Sequence, residues 1–119
     1  MKKASLTFLL FISLFSLYGK EIEVCATCDV KTIKEAVALS EDGDVILIKD
    51  GVYKEHDILV DKSIHIKGIG VPIVDGDNKE TIFRFTADGF SVSGLEIINV
   101  GRSYTKDFAA ILVTKSDGF

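Results

Sequence analysis

The sequence predicts an all-β chain, wound as a right-handed parallel β-helix (a solenoid) with an N-terminal capping α-helix. Three observations predict it: one helical period near the start, a run of short apolar strands after it, and a repeat of 26 to 29 residues within that run. A period of this size marks a solenoid or an array of stacked units. Strands so short, with no helices between them, do not fit an open α/β sheet.

The first stretch lies outside the fold. Lys2 and Lys3 precede an almost unbroken apolar run from Ala4 to Leu17, and Tyr18-Gly19-Lys20-Glu21 then turns polar. A charged start, an apolar stretch and a small residue near the cut are the layout of a secretory signal peptide. The run is shorter than the ~20 residues of a spanning helix. Residues 1–19 are therefore read as a cleaved signal, with Gly19 at the cut, and the membrane is met only through it. Without Lys2 and Lys3, 12 basic residues face 18 acidic ones, a formal charge of −6. No basic stripe exists, which argues against a nucleic-acid partner.

Residues 20–44 form a leader with Cys25-Ala26-Thr27-Cys28, followed by the helix. In Thr32 to Ser40, TIKEAVALS, the residues Ile33, Ala36, Val37 and Ser40 share one face. Thr32 with Glu35 three residues on is a capping-box pattern. Asp42-Gly43 is expected to end the helix, Gly taking the positive φ there.

Residues 45–119 are the expected rungs. Apolar runs at Val45–Ile48, Ile58–Val60, Ile64–Lys67, Ile73-Val74, Ile82–Phe85, Phe90–Ser93, Leu95–Ile98 and Ala110–Val113 alternate with turns. Asp-Gly pairs at 42, 50, 75, 88 and 117 mark bends, because Asp closes its own side-chain turn and Gly takes the left-handed conformation. TIFRFTADGF (81–90) aligns with AILVTKSDGF (110–119) at an offset of 29, placing Ile82 on Ile111. SIHIKG (63–68) aligns with GFSVSG (89–94) at an offset of 26, placing Ile66 on Val92 and Gly68 on Gly94. A β-sandwich also has short strands but does not explain the nearly constant offset. Ile64, Ile66, Ile82, Val92, Ile97 and Ile111 are the expected inward residues, each packing on its counterpart one rung away. The helix is expected to lay Ile33, Ala36 and Val37 over the open first rung. Phe119 closes the sequence as a third Gly-Phe strand begins, so the solenoid is expected to be truncated there.

Few residues carry candidate chemistry. Cys25 and Cys28 have the spacing of a local disulfide, of a redox dithiol or of a two-sulfur contact for Cu(I). Asp29 stands where a c-type haem motif needs His. His65, between Ile64 and Ile66, is turned outward by strand alternation, and His56 lies in a turn. Both are read as surface residues before ligands. A sugar-cleaving site needs clustered carboxylates; Asp57, Asp61, Asp75, Asp77, Glu80 and Asp88 are available, mostly in turns. No catalytic residue is assigned.

Val24 to Gly68, with VCATCDV, TIKEAVALSEDGDVILIKDGVYKE and YKEHDILVDKSI, together with INVGRSYTKDFAAI at 98–111, resembles NosD-type proteins. These are periplasmic maturation factors for nitrous-oxide reductase. The helix, Gly-Asp, strand and Gly-x-Tyr portion is shared by many β-helices, sugar-acting ones included. The resemblance implies a periplasmic, non-enzymatic protein of denitrification. It would work with an ABC transporter to assemble the copper–sulfur centre of the reductase, copper being its implied cofactor. It also implies that the polar excursion at 101–107 contacts a partner, through Arg102, Tyr104 and Lys106. The alternative is a secreted carbohydrate-binding or polysaccharide-cleaving β-helix.

Overall fold

A computed structural model describes residues 19–101 and 109–114. The apolar leader, the partner-contact residues Arg102, Tyr104 and Lys106, and the last Gly-Phe pair lie outside the described residues.

The chain is a parallel β-solenoid of about four turns. One sheet holds β1 (Glu21–Val24), β2 (Val45–Ile48), β5 (His65–Gly68) and β8 (Ser91–Ser93) in that order. A second holds β3 (Val52–Lys54), β6 (Ile73–Lys79) and β9 (Glu96–Val100), and a third β4 (Ile58–Val60), β7 (Phe83–Phe85) and β10 (Ile111–Val113). Every pairing between these strands is parallel. A single helix, α1 (Ile33–Leu39), lies between β1 and β2 in sequence and packs on β1, β2 and β4.

Alternation along each strand builds inward columns. Ile22, Ile46, Ile66 and Val92 are in register, as are Tyr53, Val74 and Ile97. The third sheet contributes Ile58–Phe83–Ile111 and Val60–Phe85–Val113. Most of these side chains are fully buried, each worth about 1.5–3 kcal/mol of apolar burial. Phe85 stacks on Phe90 at 4.1 Å between ring centroids, extending the core toward β8.

The offset of 26 holds, with His65 on Ser91 and Ile66 on Val92. The glycine pair also meets: a Cβ on Gly68 would collide with the Gly94 carbonyl. Ile64, Ile66 and Ile82 are buried as expected, and Val92 and Ile97 pack half-buried against the core.

Four expectations are corrected. The offset of 29 is 28 in the sheet, so Ile111 pairs with Phe83, while Ile82 is buried in the corner before β7. Asp75-Gly76 is not a bend but part of β6. The irregularity follows at Asp77 and Asn78, both inside β6 with positive φ, where the register to β9 shifts. The Asp75 carboxylate accepts from Asp77 N (2.8 Å) and Asn99 Nδ2 (3.0 Å) there. The helix ends before Asp42-Gly43: Ser40 is its C-cap, with extended backbone and its hydroxyl on Val37 O (2.7 Å). Gly43 serves the following turn at φ 90°. Finally, β1 and β3 join as strands that no long apolar run announced.

The helix is fastened at both ends by one segment. Thr32 Oγ1 accepts from Glu35 N (3.1 Å), as the capping pattern implies, although Glu35 reaches back to Lys31 N rather than Thr32 N. Glu55 adds its carboxylate to the free amides of Ile33 (2.7 Å) and Lys34 (3.0 Å). Lys62 Nζ donates to Val37 O (3.0 Å) and Ser40 O (2.6 Å) at the other end. A negative charge at the N-terminus and a positive one at the C-terminus each complement the helix dipole.

Candidate functional site

The candidate site is the Cys25–Cys28 loop, set where β1 leaves its sheet. Val24 forms an isolated bridge with Val30, and Cys25 N donates to Val30 O (3.2 Å), so residues 25–30 fold back on the strand end. Cys28 N donates to Cys25 O (3.2 Å), a tight turn that brings the two Cα atoms to 5.0 Å. The sulfurs are joined in a disulfide. Chain entropy gives a loop this short about 2 kcal/mol, against about 3 for a 15-residue loop.

The loop borders an open groove of about 830 Å³ whose other walls include Lys20, Glu21, Glu23, Leu39 and Lys49. Lys49 pairs with Glu23 at 3.3 Å, both well exposed. Lys31 Nζ donates to the Cys28 carbonyl (3.0 Å), and Thr27 Oγ1 lies 3.5 Å from Cys25 Sγ.

Behind the groove a buried carboxylate fixes the chain entry. Asp44, with a side chain 4 % exposed, accepts from Lys20 N (2.9 Å), Lys20 Nζ (2.7 Å) and Glu41 N (2.8 Å). Burial alone would raise its pKa, but the Lys20 and Glu41 hydrogen bonds outweigh it and hold the carboxyl below its ordinary range. Lys20 is pushed up, chiefly by its hydrogen bond to Asp44. Tyr53 locks the same region: its hydroxyl donates to Lys49 O (2.7 Å) and lies 3.2 Å from Val24 O. Burial, then Asp50 and Glu55, raise the Tyr53 phenol.

The two histidines stand apart from each other in the fold. His65 faces outward with Nδ1 2.7 Å from Ser91 Oγ, as alternation implies. His56 is half-exposed, and its Nδ1 is buried without a hydrogen-bond partner. Of the carboxylates weighed for sugar chemistry, Asp75 is engaged at the β6 bulge and Asp57 lies 3.4 Å from Arg84 Nη2. Among the described residues, no three His, Cys, Asp or Glu side chains group as a metal site. The Cys pair fits Cu(I) by donor type, two soft sulfurs on one loop, only once the disulfide is reduced.

Glu55, Lys62 and Asp44 were not expected to act at this end of the molecule. The first two sit in YKEHDILVDKSI, but their partners lie 21 to 25 residues away, beyond any local pattern. Comparisons with protein-family models, with curated proteins and with solved structures returned no match. What fold and site define is a parallel β-solenoid with a cysteine pair at the end that carries its helix.

Proposed function

We propose that this chain is the N-terminal part of a right-handed β-helix accessory protein that assists copper-centre assembly of nitrous-oxide reductase in the periplasm. It acts as a scaffold rather than as an enzyme, with the reductase and an ABC transporter as partners. In this proposal residues 1–19 export the chain and are removed, and α1 is the N-terminal cap of the coil. The observation that carries the proposal is the placement of Cys25 and Cys28 on an open groove at the helix-bearing end. Cu(I) prefers sulfur ligands, and a solenoid offers its partners a long continuous surface. YKEHDILVDKSI, one of the three segments most like the NosD type, grips α1 through Glu55 and Lys62, and α1 directly follows the Cys-x-x-Cys leader, another of the three.

Cu(I) titration of the reduced full chain tests the metal part. The protein is expected to take up about one equivalent through the cysteine pair, and Cys25→Ser/Cys28→Ser to lose it. Unchanged stoichiometry and affinity in the double variant would remove the pair as a copper site. In cells that make the reductase, loss of this protein is expected to leave the reductase short of its copper–sulfur centre. A fully loaded reductase, with polysaccharide binding by the purified chain, would favour the carbohydrate-binding alternative instead.

A further inference from the structure

We propose that Cys25–Cys28 is a thiol–disulfide exchange site, which oxidises two cysteine thiols of a polypeptide lying along the open edge of β1. This goes beyond the copper proposal and needs no metal.

Three observations converge. The disulfide is half-exposed on the wall of an open groove, where an attacking thiolate can reach it. The loop is also held by Cys25 N on Val30 O, Cys28 N on Cys25 O and the Val24–Val30 bridge, so it keeps backbone bonds of its own when the S–S bond opens. And β1 ends its sheet. The Lys20 and Val24 carbonyls accept from Val45 N and Lys49 N on the β2 side. The alternating pattern therefore turns the backbone groups of Glu21 and Glu23 away from β2, to the outer edge of the sheet. Among the described residues no named strand pairs with them, and only Val30 bridges this edge, at Val24. An extended polypeptide adding to that edge at Glu21 and Glu23 would end against the 25–30 loop, whose Val30 already accepts from Cys25 N, and so beside the disulfide.

The step balances within the two partners. A partner thiolate attacks one sulfur, the Cys25–Cys28 bond breaks, and a mixed disulfide forms while the displaced thiolate takes up a proton. The partner's second thiolate then attacks its own sulfur in the mixed disulfide and releases the second cysteine. Two electrons and two protons pass from the partner dithiol to the protein. The Lys31 ammonium, held on the Cys28 carbonyl, adds positive charge that favours thiolate in this loop.

The test mixes oxidised full chain with a reduced two-cysteine peptide of extended sequence, with a chelator present, and reads alkylated masses over time. The protein is expected to gain two alkyl groups as the peptide loses two hydrogens, at least about ten-fold faster than with glutathione disulfide as oxidant. Cys25→Ser/Cys28→Ser is expected to oxidise no peptide while still unfolding in a single cooperative urea transition, at a lower midpoint. Glu23→Pro, which blocks strand addition on the open edge, is expected to slow the peptide about ten-fold and leave a small dithiol unaffected. A native disulfide that survives the peptide, while the urea-unfolded chain exchanges, would overturn the proposal. So would a rate no faster than glutathione disulfide, or equal slowing of peptide and small dithiol by Glu23→Pro. Because the chelator removes copper, this result and the Cu(I) titration can fail independently.

Discussion

The two ends of the described solenoid treat the same kind of column differently. At the first turn, Ile22 and Val24 are buried, and α1 brings Ile33, Ala36 and Val37 against β1, β2 and β4. At the last described strands, Val92 and Ile97 are half-buried, and Ile111 and Val113 are each 39 % exposed although they continue buried columns. Inward direction is thus not the same as burial. A side chain on a solenoid column is removed from water only when a neighbour lies on both sides of it. The helix end adds a second lesson: α1 is held there by charge as well as by apolar contact. Glu55 and Lys62 grip the two helix termini, where free amides and carbonyls would otherwise have to be satisfied by water.

The column Ile58–Phe83–Ile111 gives the largest effect by which to break this comparison. Phe83, fully buried at its centre, is expected to cost about 3–5 kcal/mol when replaced by Ala. Ile111→Ala, in register one strand on, is expected to cost a fraction of that, because part of its surface is already wet. Urea unfolding of the two variants measures the ratio. Equal losses would mean that Ile111 is covered as fully as Phe83, and the contrast between the ends would fail.

The helix clamp comes next. Glu55→Ala removes a charged acceptor from two helix amides, and Lys62→Met removes a charged donor from the last carbonyls while keeping most of the apolar stem. Each is expected to cost about 1–2 kcal/mol, since hydrogen bonds to charged groups exceed neutral ones but both sites are partly solvated. The loss should appear as earlier hydrogen exchange in α1 than in β5 to β7. Uniform exchange across the chain would show that the helix does not open separately from the coil.

These two sets of residues also separate what was legible in the sequence from what was not. Column residues follow from alternation and the repeat, so Ile64, Ile66, Val92 and the Gly68–Gly94 contact were accessible from one strand and one offset. The one-residue error at Ile82 came from aligning the Asp-Gly-Phe triplets, the second of which lies outside the described residues; the sheet keeps register by backbone pairing instead. β3 was missed because only Tyr53 of its three residues is buried, too few for an alternating pattern. The clamp and Asp44 depend on partners a full turn away. A Lys or Asp beside a turn reads locally as solvated surface, and nothing short of the coil's registration brings it to a helix end. The cysteine spacing was visible at once, but its setting beside the open edge of β1 was not, because Glu-Ile-Glu-Val is short for a strand.

The smallest expected effect is electrostatic and belongs to the helix end alone. The folded pKa of Asp44 lies below the ordinary carboxylate value of about 3.9. A lowered folded pKa means that the unfolded chain binds the proton more readily. The stability Asp44 contributes is therefore fully present above about pH 4 and is lost as pH falls through the lowered folded value. Asp44→Asn is expected to lower stability by a constant amount at neutral pH, and the gap to wild type should close in acid. The effect is smaller than that of the clamp because Lys20, its main partner, is half exposed and its attraction is screened by solvent. Added salt should narrow the neutral-pH gap only in part, since the Glu41 amide keeps its hydrogen bond to the carboxylate. Asp75 provides the internal contrast. Its pKa is lowered too, chiefly by the Asn99 side chain, but it sits at the β6 bulge, away from α1. Asp75→Asn should show the same acid limb without changing hydrogen exchange in α1, whereas Asp44→Asn should change both. If both variants move α1 alike, the helix end is not held by its own charges, and the difference between the two ends reduces to apolar cover.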